Sequence, residues 1–242
     1  MQLKGFNNLK KLLSFSFYDF VIAPNEAEKK SYIEYINTNY SAEKITALLK
    51  KIVHIVEAEI LNTSLQDYEP YGASSMILLG DIKGSGVAMH LDKSHITAHT
   101  YPDFENENGI LSFRVDIELS TCGEITPLSS LNTIFAFFDT DIVTIDYVVR
   151  GFTRDKDGKH IYMDHHFNSI KEFISDDILK SYRTKEVLLP NDNIWQLKLL
   201  RTDMQTDEYF SPKTALSAKE KQEYIDTLHA EMVSIFNGWR SV

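Results

Sequence analysis

Segments in which apolar and polar residues alternate are the feature that most constrains the fold of this 242-residue chain. In ILSFRVDIELSTCG, residues 110–123, the two parities separate into Phe113, Val115, Ile117 and Leu119 on one side and Arg114, Asp116, Glu118, Ser120 and Cys122 on the other. Successive side chains of a β-strand point to opposite faces of its sheet. The segment is therefore predicted to be a strand with one core face and one polar face. Further β-rich runs are Lys11–Ala23, Gly72–Gly80 and Asp141–Phe152.

Two helices are marked by caps and by helical spacing. Ser41 is a candidate N-cap for a helix whose apolar residues recur three and four positions apart: Ile45, Leu48, Leu49, Ile52 and Val56. Ser217 and Glu220 form a capping-box pair before a second apolar stripe: Ile225, Leu228, Met232 and Ile235. Weaker helical patterns cover Glu26–Tyr40 and Pro127–Phe138. Because helices and strands neither alternate strictly nor segregate, the predicted fold class is α+β, a mainly antiparallel sheet with helices packed on one face.

Length and composition indicate a single domain, residues 1–242. The chain contains no internal repeat and no linker that would divide it, and 43% hydrophobic residues suffice for a sizeable core. Its net charge of -10 disfavours nucleic-acid binding and suits cationic ligands. The lone cysteine excludes an internal disulfide and a multi-cysteine zinc site. Neither a signal peptide nor an apolar run of about 20 residues is found, so we expect a soluble cytoplasmic protein without membrane contact.

The stretch HLDKSHITAHTYPD, residues 90–103, raises two chemical interpretations, a histidine site or a backbone that reacts with itself at Ser94. His95 and His99 would lie about 13 Å apart in a strand, too far for one metal ion to bridge easily. A second group, His160, His165 and His166, matches no metal-binding motif, and surface or hydrogen-bonded histidines are the better interpretation. The stretch itself is predicted to be a strand between two glycine-bearing loops, residues 80–86 and 103–109.

Ser94 lacks the G-x-S-x-G environment of a hydrolase nucleophile. A serine can instead attack the carbonyl that precedes it, which converts the Lys93–Ser94 amide into an ester. Removal of the serine α-proton then expels the ester, and hydrolysis of the product leaves a pyruvoyl group. This chemistry needs a base and a distorted backbone. From the residues alone, an ordinary Lys-Ser step that enters a strand remains the simpler interpretation.

A family resemblance changes that balance. The blocks GFNNL, QDYEPYGAS, HLDKSHITAHTYPD, FRVDIELSTCG, DIVTIDYVVRGFTRD and NSIKEFISDD occur in this order from the N-terminus to Asp177. Together they resemble the bacterial S-adenosylmethionine decarboxylase proenzymes, of the longer type found in enteric bacteria. The resemblance implies the sandwich fold of that family and cleavage between Lys93 and Ser94, giving chains 1–93 and 94–242.

Site roles follow from the same resemblance, position by position. Ser94 matches the residue that becomes the pyruvoyl group, His99 the base that takes its α-proton, and Cys122 the catalytic proton donor. Ser74 matches, over a shorter alignment, a serine that assists processing. Cys122 has the polar parity of its strand rather than the core parity, although a lone cysteine is more often an inert small hydrophobe. Glu118 is a candidate substrate-binding residue, but for Glu118, Asp116 and Arg114 alike a solvated strand face is as good an interpretation as a role in the site.

The implied reaction is pyruvoyl-dependent. The ketone forms a Schiff base with the amine of S-adenosylmethionine, CO2 leaves, and Cys122 protonates the former α-carbon. The product, S-adenosyl 3-(methylsulfanyl)propylamine, donates the aminopropyl group in spermidine biosynthesis, a branch of polyamine biosynthesis. A homo-oligomer of cleaved pairs and stimulation by Mg²⁺ are also implied, but no acidic cluster allows metal ligands to be assigned.

Two departures from the family pattern leave alternatives open. Asp103 stands where the family usually has glutamate, and the loop before the cleavage site is shorter. Neither change removes a named catalytic group, but both bear on substrate choice. A pyruvoyl-dependent arginine or ornithine decarboxylase on the same fold is therefore an alternative. A further one, from a different class, is an uncleaved, non-catalytic homologue that regulates a partner decarboxylase.

Overall fold

The computed structural model describes residues 9–81, 94–105, 108–122, 126–212 and 214–238. The strands are β1 Lys10–Ile22, β2 Ala58–Asp67, β3 Ala73–Asp81, β4 His95–Asp103, β5 Ile110–Cys122, β6 Ile142–Arg150, β7 Thr153–Arg154, β8 His160–Ile161, β9 Tyr182–Leu189 and β10 Ile194–Arg201. The α-helices are α1 Glu26–Asn39, α2 Ala42–Ile55, α3 Leu131–Phe135, α4 Asp176–Leu179 and α5 Ala218–Asn237. Short 3₁₀ helices span Pro127–Ser130, Ile170–Phe173, Pro190–Asp192 and Thr206–Tyr209.

One eight-stranded sheet organises the part of the chain that the structure describes. Its strand order is β2-β3-β4-β5-β1-β6-β10-β9, and every neighbouring pair is antiparallel. A separate two-stranded ribbon joins β7 and β8. The α+β class with a mainly antiparallel sheet is thereby confirmed.

The predicted parities decide which residues form the core. We call the face of the sheet that carries Phe15, Phe113 and Val115 the inner face; it packs against α1, α2, α3 and two of the 3₁₀ helices in one continuous hydrophobic cluster. The opposite, outer face carries mainly polar side chains along β4 and β5. Along each strand these residues alternate with the buried residues of the inner face. Burial of apolar area on the inner face is the main stabilising contribution.

The helices are not confined to one face, which is the point where the fold differs from the expected arrangement. Helix α5 packs on the outer face through Leu228, Met232 and Phe236. Its partners there are apolar residues at the outer parity of three strands: Phe20, Ile142 and Leu200. These apolar positions at one end of the sheet provide the surface that the α5 stripe needs, because an amphipathic helix must bury its apolar side.

Both capped helices form as predicted. Ser41 accepts a hydrogen bond from the Lys44 backbone N–H at the start of α2, and Ser217 with Glu220 makes a reciprocal capping box at the start of α5. The weaker patterns also correspond to real elements, since Glu26–Asn39 is helical and the 127–138 region contains a 3₁₀ turn followed by α3. Of the predicted loops, residues 82–86 and residues 106–107 lie outside the described residues. No described helix is long and apolar enough to cross a membrane.

Candidate active site

Ser94 lies directly before β4 and continues the β3–β4 ladder, because its carbonyl accepts a 2.9 Å hydrogen bond from the Leu79 N–H. Only 6% of Ser94 is exposed. Its Oγ lies 3.1 Å from Sγ of Cys122, the last residue of β5. The register of β4 and β5, in which His95 faces Ser120, brings together two residues that are 28 positions apart. Lys93 and His90 lie outside the described residues.

Ser74 and His99 form a second group. They are direct cross-strand partners on β3 and β4. The phenol of Tyr68 donates a 2.8 Å hydrogen bond to Ser74 Oγ, and the His99 ring stacks on Tyr101 with 6.4 Å between ring centroids. His99 is exposed on the outer face, whereas Ser74 is half-buried.

The two groups are separate within one chain. Ser94 and His99 are five residues apart along extended backbone, which corresponds to about 16 Å at the usual rise per residue. The structure therefore joins Ser94 with Cys122 and Ser74 with His99. It does not bring the imidazole of His99 to the serine of the same chain.

The polar residues of β5 differ from one another in their surroundings. Glu118 is exposed and faces Thr97 on β4 and Ser14 on β1. Asp116 instead accepts a 2.7 Å hydrogen bond from Ser16 Oγ and forms a 3.1 Å ion pair with Arg114. Of these two acids, only Asp116 therefore has described polar contacts.

Arg114 carries a stabilised positive charge beside that carboxylate. Burial works against the charged guanidinium, but a hydrogen bond with Tyr18 and the attraction of Asp116 outweigh it, so the pKa of Arg114 lies above its ordinary value. The guanidinium also lies 4.2 Å from the centroid of the Tyr101 ring, a cation–π contact.

A buried polar chain near the same end of the sheet escaped the sequence reasoning. Lys11 Nζ lies 2.7 Å from Asp164 Oδ2, and Asp164 Oδ1 lies 2.7 Å from His165 Nδ1. His165 Nε2 is 2.9 Å from the hydroxyl of Tyr147. The sequence did contain one signal of this chain: Lys11 stands at a position of β1 whose side chain points into the core, where a lysine needs a buried partner. The hydrogen-bonded interpretation fits His165, and no group of three or more metal-ligating side chains occurs among the described residues.

Comparison with known proteins identifies the family. Residues 36–151 match the family model for S-adenosylmethionine decarboxylase. The S-adenosylmethionine decarboxylase proenzyme of Alkaliphilus oremlandii is 43% identical over 98% of this chain and 96% of its own length. The chain belongs to the S-adenosylmethionine decarboxylase family.

Other members of the family agree across nearly the whole chain. The proenzymes of Chromohalobacter salexigens and Hahella chejuensis are each 42% identical over 98% of this chain and 96% of their own length. The solved adenosylmethionine decarboxylase of Aquifex aeolicus VF5 matches 68% of this chain and all of its own, with 15% identity and a TM-score of 0.36. Membership therefore rests on sequence, and the fold description on the present structure.

Proposed function

We propose that this protein is a proenzyme that cuts its own backbone between Lys93 and Ser94, and that the mature form decarboxylates S-adenosylmethionine in polyamine biosynthesis. The observation that carries the proposal is the contact between the buried Ser94 hydroxyl and the Cys122 thiol in a member of this family. The hydroxyl and the thiol that the proposal needs as nucleophile and proton donor thus lie in contact where the resemblance implies the cut.

The cut would leave one folded domain. Strands β1 to β3 belong to residues 1–93 and β4 to β10 to residues 94–242. In the sheet, β1 lies between β5 and β6, and β3 pairs with β4. The ladders of both fragments are therefore interleaved, and backbone hydrogen bonds hold them together without the Lys93–Ser94 bond.

The residues around Ser94 suit a pyruvoyl group formed from it. The Leu79 N–H fixes the Ser94 carbonyl, so the new chain end stays on the β3–β4 ladder after cleavage. A pyruvoyl ketone supplies covalent attachment of the substrate amine and withdraws electrons as CO2 leaves. Cys122 Sγ lies 3.1 Å from Ser94 Oγ, so a thiol stands beside the residue to which the substrate would be attached, as the proposed role of proton donor requires.

Mass spectrometry under denaturing conditions tests the cut. Two fragments that end at Lys93 and begin with a pyruvoyl group at position 94 are expected in place of the intact 27.8 kDa chain. Ser94→Ala removes the nucleophile and leaves one intact, inactive chain. Cys122→Ala is cleaved but turns over about 100-fold or more slowly, because a positioned proton donor contributes about 10²–10⁴-fold.

Substrate choice is decided by measuring CO2 and amine products from S-adenosylmethionine, arginine and ornithine in parallel. Activity on arginine or ornithine with none on S-adenosylmethionine would replace the proposed substrate. A wild-type chain that stays at 27.8 kDa and releases no CO2 would instead indicate a non-catalytic homologue.

We also propose that the protein acts in the cytoplasm. We further propose that it forms a homo-oligomer in which His99 of one copy removes the α-proton of Ser94 in another copy. The separation of about 16 Å along β4 supports this, since an imidazole must come within hydrogen-bond distance of the proton that it removes. Co-expression of tagged His99→Ala chains with Ser94→Ala chains provides the test. The His99→Ala chain is expected to be cleaved only when the Ser94→Ala chain is present. If it stays intact in the mixture while the wild type is cleaved, the proposal that two copies share the site is wrong.

The described residues do not form a magnesium site that could be assigned to the implied stimulation. Measuring CO2 release after EDTA treatment, with and without added Mg²⁺, tests the stimulation directly.

A further inference from the structure

A serine, a histidine and an aspartate stand side by side across three neighbouring strands. His99 on β4 is the register partner of both Ser74 on β3 and Asp116 on β5. Opposite residues in antiparallel strands have Cβ atoms about 4.5–5.5 Å apart. Rotation of the His99 side chain therefore suffices to place either ring nitrogen within hydrogen-bond reach of its neighbours.

The serine end of this row is held by Tyr68. The Tyr68 phenol donates to Ser74 Oγ, and the Tyr68 N–H donates a 2.8 Å hydrogen bond to the Gly72 carbonyl, which closes the turn between the two residues. Because the Ser74 oxygen accepts from Tyr68, the proton of the Ser74 hydroxyl is free to be directed elsewhere. The cross-strand neighbour in that direction is His99.

The aspartate end is held from the opposite side. Ser16 Oγ donates to Asp116 Oδ1 at 2.7 Å, and Arg114 Nη2 lies 3.1 Å from Asp116 Oδ2. Arg114 also contacts the face of Tyr101, the ring that stacks on His99. Side-chain contacts thus link Asp116 to Arg114, Arg114 to Tyr101 and Tyr101 to His99 on the outer face, and the two ends of this series, Asp116 and His99, are cross-strand partners.

We infer that Asp116 is a positioning residue for His99 during self-cleavage. Its carboxylate accepts one imidazole N–H and so leaves the other ring nitrogen free to take the Ser94 α-proton, the way a carboxylate orients a histidine base elsewhere. As that proton leaves, the C–H electron pair forms a carbon–carbon double bond and the Cβ–O bond of the ester breaks. The carboxylate of fragment 1–93 is then the leaving group. The inference rests on the proposed function.

Asp116→Asn tests the inference through the rate of self-cleavage. The amide cannot replace the carboxylate as a charged acceptor, so cleavage is expected to slow at least 10-fold, with partial recovery in Asp116→Glu. Once cleaved, the Asp116→Asn enzyme should keep the wild-type kcat, because His99 acts in processing and not in turnover. A general loss of structure would lower both quantities together.

Asp146→Asn is the matched control. Asp146 lies on the same outer face, on β6, and its Oδ1 accepts a 2.7 Å hydrogen bond from Gln196 Nε2. The Asp146→Asn substitution removes one negative charge from a hydrogen-bonded strand residue, as Asp116→Asn does, but at a position outside the row of Ser74, His99 and Asp116. Its rate of cleavage should equal that of the wild type.

Hydroxylamine separates a positioning defect from a structural one. His99 acts after the ester has formed, so a poorly oriented base lets the ester accumulate, and hydroxylamine then cuts the chain to leave an unmodified serine at position 94. A distorted chain retains the resistant amide. Cleavage of Asp116→Asn at the wild-type rate, or slow cleavage without hydroxylamine sensitivity, would overturn the inference. Absence of cleavage in the wild type would instead overturn the proposed function.

Discussion

Lys11 is a fully buried lysine, and burial of its charge would be costly without an anionic partner. It is 0% exposed on the inner face, and its ammonium meets an Asp164 side chain that is 7% exposed. Burial and the nearby Asp164 charge both raise the pKa of Tyr147 above its ordinary value. The Tyr147 phenol therefore remains protonated; its hydroxyl lies 2.9 Å from His165 Nε2, and His165 Nδ1 lies 2.7 Å from Asp164 Oδ1.

Removal of one member of this buried pair should cost more than removal of both. In a Ser94→Ala background, where the chain stays intact, Lys11→Met is expected to lower the free energy of unfolding by about 3–5 kcal/mol, because Asp164 keeps its buried charge and loses the Lys11 ammonium. The double variant Lys11→Met/Asp164→Leu should lose less than the single variant. Urea unfolding measures both.

The control for this prediction is Lys10→Met. Lys10 is the adjacent, exposed residue of β1, and its replacement should change the free energy of unfolding by less than about 0.5 kcal/mol. Equal effects of Lys10→Met and Lys11→Met would show that the buried ion pair has no special weight in stability.

At the scale of elements, the central strands and the capped helices could be predicted because their signals are local. Strands β1, β3, β4, β5 and β6 and helices α2 and α5 correspond to predicted segments, although β1 begins and β3 ends one residue outside its segment. The edge strands β2 and β9 were not predicted, since most of their residues are exposed and little apolar alternation is required there. Strand β10 was missed although Trp195, Leu197 and Leu199 alternate in its sequence.

The site was harder to predict than the elements that carry it. Ser94 and Cys122 meet only through the register of β4 and β5, and register depends on how a whole sheet face packs. The roles of both residues were implied by family resemblance and remain predictions. The placement of α5 on the outer face had a readable signal, namely apolar Phe20, Ile142 and Leu200 at the otherwise polar parity.

At the scale of the whole molecule, a buried acidic group connects several elements at the end of the sheet away from Ser94 and Cys122. Asp141 is 1% exposed; it accepts hydrogen bonds of 2.9 Å from the Phe20 N–H and 2.7 Å from the Tyr209 hydroxyl. Arg201 Nη1 lies 3.7 Å away. Burial raises the pKa of Asp141 to about 6, and the neighbouring Asp139 adds to the rise against the opposing effects of Tyr209 and Arg201. Burial raises the pKa of Asp19 as well, with Asp141 as the next cause.

This raised pKa predicts a pH dependence with a definite sign. A carboxyl group that binds its proton more tightly in the folded chain than in the unfolded chain stabilises the fold at low pH, and that contribution disappears as the pH rises through the folded pKa. For Asp141 the loss lies between about pH 4 and pH 7. It amounts to roughly 3 kcal/mol, since one pKa unit corresponds to about 1.4 kcal/mol.

The Asp141→Asn variant removes this contribution, together with the part of the Asp19 pKa shift that Asp141 causes; it is compared with its parent, again in the Ser94→Ala background. The lost hydrogen-bond geometry shifts the stability of Asp141→Asn by an amount that does not vary with pH, whereas the titration changes the slope. Urea unfolding at several values between pH 4.5 and pH 7.5 should therefore show the parent losing stability relative to Asp141→Asn as the pH rises. If the free energies of unfolding of the two chains instead change in parallel across this pH range, Asp141 titrates as it does in the unfolded chain. The buried acidic group would then not contribute to the pH dependence of stability.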